Sequence, residues 1–272
     1  MKIIREHFES IYQLINTINN RPQNPHFSQK SSQCTNMSDW YGTINYNEAI
    51  KLLTEGYVEP LKKMKKAINK NLNLNSTGNL NRRMPRNSVV GFVPNVPNAI
   101  RGLPESMINF HTVPQKIKAV TITYVNTQNA YVDADEFLKS GITILNLINL
   151  LEHNNIRVKL NIAFKFSKQY PEFHFATVTV KNWKDQLDLQ KIAFPICHPS
   201  MLRRIGFKWL ETCPFHTSSD YGATQDVEYV IDELKDKNFV NENEYLFDID
   251  ICKNLKYDEE KLYEQYFQKN FF

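Results

Sequence analysis

Cys197, His198, Cys213 and His216 lie within twenty residues of one another. Two thiols and two imidazoles are a set that zinc accepts in tetrahedral geometry. Their spacing argues against it. A helix is expected over about 199–211, and its ends stand roughly 18 Å apart, whereas zinc ligands sit about 2.0–2.3 Å from the metal. Cys197 and His198 are adjacent, not spaced as a C-x-x-C knuckle. No metal site is expected here. His198 is a different matter. It falls at a predicted strand-to-helix corner, where α/β folds place their sites, and is a candidate catalytic imidazole. The competing reading is a hydrogen-bonded corner histidine.

Asp248 and Asp250, in EYLFDIDIC (244–252), are the second candidate. On a strand they share a face about 7 Å apart, a placement that suits Mg²⁺ in phosphoester hydrolysis. An exposed sheet face gives the same pattern, and no adjacent Lys or His completes a nuclease signature. Arg203 and Arg204 are the third. A guanidinium binds phosphate or carboxylate bidentately, and both arginines are read on the outward face or flank of their helix, with Leu202, Ile205 and Trp209 turned inward. Pairing with a structural carboxylate is the alternative. Pro199 fits the first turn of this helix, where its missing N–H has no partner to lose. Cys197 is read as the buried end of a strand.

Other chemistries have less to stand on. With 8 glycines the chain holds neither G-x-x-x-x-G-K nor G-x-G-x-x-G, so no phosphate loop and no cofactor is expected. No G-x-S-x-G nucleophile elbow occurs, and Pro214 between Cys213 and His216 sets an extended turn. The four cysteines are far apart in a chain too large to need staples, and are read as reduced thiols of a cytoplasm. The start of the chain has no signal-peptide pattern and no stretch reaches the ~18 apolar residues of a membrane span.

Charge is distributed unevenly. Residues 1–116 carry 15 Lys and Arg against 7 Asp and Glu, and no acidic residue occurs between Glu59 and Glu105. That window holds Lys62, Lys63, Lys65, Lys66, Arg82, Arg83 and Arg86. Such a block suits phosphate or an acidic protein surface; a solvated helix face and loop is the plainer alternative. Aromatics do not interleave with these cations, so base stacking is not indicated.

The elements that must position these groups read as follows. Residues 2–19 have helical spacing in Ile4, Phe8, Ile11, Leu14, Ile15 and Ile18. Residues 20–39 are a polar, Pro-bearing loop. Asn45 or Asn47 caps a helix to about 55, ended by Gly56, and a basic helix follows over 61–71. Residues 72–88 are Asn-rich and expected to be mobile, and four prolines in 89–116 exclude long regular elements. From Ile117 the pattern is strand 118–125, helix to about His153, strand 157–166, a hairpin into strand 173–181, a short helix 183–189, strand KIAFPIC (191–197), the 199–211 helix, a helix 226–237, strand 244–252 and a closing helix 257–269. This predicts an α/β domain over 117–272, a three-layer mixed sheet loosely of von Willebrand A order, behind a basic, mainly helical region 1–116. The D-x-S-x-S that binds metal in that class is replaced by Asn126-Thr127-Gln128-Asn129-Ala130.

Four patterns in order, WYGT (40–43) with EAIKLLTEGY (48–57), GLPESM (102–107), the helix from Gly141 into LEHNNIRV (151–158), and HPSMLRRIGF (198–207), resemble a family without assigned activity found mainly in tailed bacteriophages and related mobile elements. The similarity covers about 36–211. It implies a phage-encoded protein working in the host cytoplasm or built into a virion, and carries over no catalytic residues. The sequence thus favours a non-catalytic protein that binds a host or phage macromolecule, protein or nucleic acid, through its basic front and the Pro-rich crossing segment, regulating a host process without a membrane and with oligomerisation open. A metal-dependent phosphoesterase using His198, Asp248 and Asp250, and a virion subunit, are the alternatives.

Overall fold

The structure is a computed structural model that describes residues 2–27, 30–64, 81–114, 118–128, 130–167, 172–214, 221, 234–235, 241 and 244–268. It is a mixed α/β fold with a five-stranded and a three-stranded sheet.

The large sheet has the order β1-β7-β6-β5-β8. Strand β5 (Lys118–Val125) is followed by α6 (Ala134–His153) and the parallel β6 (Ile156–Ser167), a βαβ unit. Strand β7 (Glu172–Lys181) returns antiparallel to β6, and β8 (Glu244–Phe247) lies parallel on the other side of β5. These elements stand where the alternation of β-branched residues put them. Side chains alternate across the sheet, so Tyr124, Ile162 and Phe164 enter the main core while Val125 and Ala163 join a smaller cluster with Leu234 on the opposite face. Helix α6 buries Phe137, Ile144, Leu147, Ile148 and Leu151. It passes so close to the next helix that a Cβ on Gly141 would stand 2.5 Å from Cys197 Sγ.

The front of the chain departs from expectation. Residues 2–19 are not one helix. Lys2–Phe8 form β1, which pairs in parallel with β7 at the sheet edge. Ser10 then accepts the N–H of Gln13 and caps α1 (Ile11–Asn20). The first strand is therefore part of the large sheet and not of a separate helical region. After α2 (Ser38–Tyr41), helix α3 (Tyr46–Glu55) is capped by Asn45 and stopped by Gly56 at φ 98°, as read. The basic helix is described over residues 59–64 (α4); Lys65 and Lys66 lie outside the described residues.

Residues 81–114 are regular where irregularity was expected. β2 (Asn81–Ser88) pairs antiparallel with β4 (Met107–Pro114), and β3 (Val93–Pro94) adds to the other edge of β4. The prolines fall at the short edge strand, at the start of α5 (Val96–Ile100) and within edge strand β2, where a missing N–H costs little.

Two further expectations are corrected. KIAFPIC is not a strand but the body of α7 (Leu189–Cys197), whose cap is Asp188 accepting the N–H of Lys191; residues 183–188 are turns. The strand at 244 ends at Phe247, and Asp248 caps a helix over Ile249–Asn254. The 199–211 helix forms as a π-helical turn, Met201–Gly206, continuing into α8 (Phe207–Glu211). The closing helix is present as Glu259–Tyr263 and a π-helical turn to Gln268. Of the helix expected at 226–237 only Leu234 and Lys235 are described, and both are helical. Among the described residues no helix is long and apolar enough to cross a membrane.

Candidate functional site

The helix from Pro199 to Glu211 is the hub of the fold, and its two arginines do the opposite of what their charge suggests. Arg203 is 2% exposed and Arg204 0%. Arg203 donates to the carbonyls of Trp40 (2.5 Å) and Val132 (2.6 Å), with its guanidinium 4.2 Å over the Trp40 ring. Arg204 donates to the carbonyls of Ser32, Cys34, Thr43 and Ile44, at 2.6–3.3 Å, and lies 3.8 Å over Tyr41. Burial pushes the Arg203 pKa down to about 10, still charged at neutral pH, with Asp133 acting the other way. These arginines tie down residues 32–44. They are not an outward phosphate site. Glu211 finishes the job, accepting from Ser32 N (2.8 Å), Ser32 Oγ (2.5 Å) and Tyr221 OH (2.6 Å).

His198 is likewise structural. It follows α7 rather than a strand, is 6% exposed, stacks on Phe194 and meets Tyr57 edge-on. Its Nδ1 accepts the Ser200 N–H at 3.2 Å, which places the proton of the neutral ring on Nε2. Burial pushes its pKa down to about 4. Cys197 is buried, and burial pushes its thiol well up, so it packs as an apolar residue. Cys213 is buried with Sγ 3.7 Å from His174 Nδ1, on the far side of the hub helix in sequence from Cys197; His216 lies outside the described residues. Among the described residues no three His, Cys, Asp or Glu side chains are grouped to hold a metal ion.

Asp248 and Asp250 do not share a strand face. Asp248 is buried and accepts the Ile251 N–H at 2.7 Å as a helix cap, and Asp250 is exposed in the first turn. The geometry that suggested a metal-binding pair is therefore not present.

The basic block is only partly described. Lys62 and Lys63 are exposed on α4 and Arg86 is exposed on β2, which also contains Arg82 and Arg83. The small sheet that carries these arginines also holds the Pro-rich crossing segment, whose exposed apolar side chains the sequence pattern did not single out. No described side chain of residues 85–111 is buried. Phe92 and Ile100 are each 81% exposed, and Val90, Val93, Val96 and Phe110 are exposed with them. Among the described residues, the hydrogen bonds of 85–111 run within the small sheet and its connections. Gly91 is required there, because a Cβ would stand 2.2 Å from the Ile108 carbonyl oxygen. The signal was available: VVGFVPNVPNAI is apolar at ten-residue scale and yet has the prolines of an edge.

A cavity of about 340 Å³ opens beyond the C-terminal ends of β5 and β6. Trp40 and Arg203 form one side, Phe166, Phe207 and Tyr221 another, and Thr127, Gln128 and Lys165 come from the strand ends.

A family model covers residues 1–267, and it is described as a domain of unknown function, DUF7192. The chain belongs to that family. Comparison with curated proteins and with solved structures finds no match. The family's description assigns no chemistry, so function has to be argued from the surfaces and cavities above.

Proposed function

We propose that this is a non-catalytic binding protein that engages another protein through its small sheet. The observation that carries the reading is the apolar exposure of residues 89–110, with Val90, Phe92, Val93, Val96, Ile100 and Phe110 in solvent and no described side chain of 85–111 buried. Contiguous apolar surface of this kind marks interaction sites. Arg86 and Arg101 are exposed within the same segment, and Lys62 and Lys63 are exposed on α4. The complementary partner is a protein surface with an apolar centre and an acidic margin. Four of these six side chains, Val90, Val93, Val96 and Ile100, are aliphatic and neither stack on bases nor bind phosphate, which favours protein over nucleic acid. The resemblance to phage proteins makes a host protein in a bacterial cytoplasm the natural target, and regulation of a host process its purpose.

The test is recovery from bacterial lysate with and without nuclease, comparing the wild type with a Phe92→Ser, Ile100→Ser double variant. A discrete protein that survives nuclease and drops at least tenfold with the double variant supports the reading. Charge reversal at Lys62 and Lys63 should weaken capture and make it less salt-dependent. Recovery that needs nucleic acid, or that ignores the apolar substitutions, overturns it. Sedimentation of the purified chain identifies the case in which the partner is a second copy.

A further inference from the structure

From the cavity at the strand ends we infer a second site: it binds a small organic anion, a carboxylate or phosphate carried on a flat apolar body. This is independent of the protein-binding surface.

The position is where open α/β sheets place ligands, outside the carboxyl ends of parallel strands. The volume of about 340 Å³ falls within the range of small-molecule sites, roughly 300–1,000 Å³. The lining decides the chemistry. Its described lining includes Arg203 and Lys165 and no carboxylate. Arg203 is buried, gives its hydrogen bonds to backbone carbonyls and feels the Asp133 carboxylate from outside the lining. An anion in the cavity meets this positive wall, and charge-assisted hydrogen bonds from guanidinium or amide are stronger than neutral ones.

Gln128 points the same way. It is 9% exposed, lines the cavity, and its Nε2 has no hydrogen-bond partner. A buried donor without an acceptor costs about 1–3 kcal/mol, and an anionic oxygen removes that cost. The rest of the wall sets the body of the ligand. Phe207 stacks on Tyr221 with ring centroids 4.2 Å apart, and Phe166 and Trp40 lie 6.0 and 6.2 Å from Phe207. Rings so disposed favour a planar apolar group.

The experiment is isothermal titration of the full chain with two matched pairs: indole-3-acetate against indole-3-acetamide, and adenosine 5′-monophosphate against adenosine. The expected result is one-to-one binding in which at least one anion binds ten times more tightly than its neutral counterpart. The pair that responds identifies carboxylate or phosphate. Gln128→Leu should weaken that anion about tenfold. Ala130→Trp, at the exposed rim of the cavity, should abolish binding while leaving thermal unfolding unchanged, so loss of ligand is not confused with loss of fold. The inference is overturned if none of the four compounds binds, if each neutral compound binds as well as its anion, or if Ala130→Trp binds like the wild type.

Discussion

Both sheets of this molecule carry large apolar side chains, and these meet opposite surroundings. In the large sheet, β5 buries Val120, Ile122, Tyr124 and Val125 beneath α6 and the segments opposite it. In the small sheet, β4 carries Phe110 in solvent, the bend beside it exposes Phe92, and α5 exposes Ile100. The arginines follow the same division. Arg203 and Arg204 are sealed inside and hold backbone carbonyls, whereas Arg86 is exposed on the edge of the small sheet. Residue type alone therefore does not say whether a side chain serves the fold or a partner. What decides is whether the chain itself supplies the covering layer or the acceptor.

That contrast can be broken at several points. The largest effect is expected at Arg204. Arg204→Met strands four backbone carbonyls, those of Ser32 and Thr43 buried, and should cost about 3–5 kcal/mol, read as a lower urea midpoint, whereas Arg86→Met should move it by less than about 0.5 kcal/mol. Equal shifts would erase the division between the two sets of arginines.

Next is His198 and acidity. An unfolded imidazole takes its proton near pH 6.5, and the buried ring holds off until about 4. Between those values the unfolded chain binds more protons, so stability falls as pH drops through the window. By pH 4 the loss from this group reaches about 3 kcal/mol, at roughly 1.4 kcal/mol per pH unit. Urea unfolding at pH 7 and 4.5 should show the slope in the wild type and a smaller one in His198→Phe. Identical slopes would mean that the ring is hydrated.

A smaller change sharpens the packing side. Gly141→Ala drives a methyl against Cys197 and should cost about 1–3 kcal/mol, measured by thermal unfolding. A neutral outcome would show that α6 and α7 part easily. Smallest of all is Phe92→Ser in the small sheet, expected within about 0.5 kcal/mol. Were it to rival Gly141→Ala, Phe92 would have a packing role inside the protein.

Much of the large sheet was legible because local signals agreed. Asn45 and Gly56 mark both ends of α3, and the alternation in β5 and β6 has one burial solution. The failures are places where two periods coincide. Ile4 and Phe8 are four apart, a spacing that puts them on one face of a helix and equally of a strand, and only the Ser10 cap separates β1 from α1. KIAFPIC is a short apolar run of the kind that periodicity cannot assign, and the Asp188 cap settles it as a helix. Asp248 looked like half of a carboxylate pair because the strand pattern ran on past the residue that ends it. The site was harder still. The acceptors of Arg204 lie 160 to 172 residues away and are backbone atoms, which leave no trace in side-chain pattern. The turn at 126–128 was recognised as the place where a metal-binding loop would sit; its amides, lacking carboxylates, gave no reason to look for another ligand.

The pairing of β1 with β7 has a consequence in time. Lys2 faces Glu172 and Phe8 faces Val178 across the sheet edge, so on the ribosome β1 waits for a partner 170 residues later in the chain. At about 5–20 residues per second the delay is roughly 10–30 s. Through that interval β1 is without its sheet. Parallel pairing of such distant segments is slow to nucleate. At the other edge β8 comes later in the chain still and pairs in parallel with β5, so both edges of the large sheet depend on long-range pairing, and the nascent chain is most open to chaperones and proteases until they form.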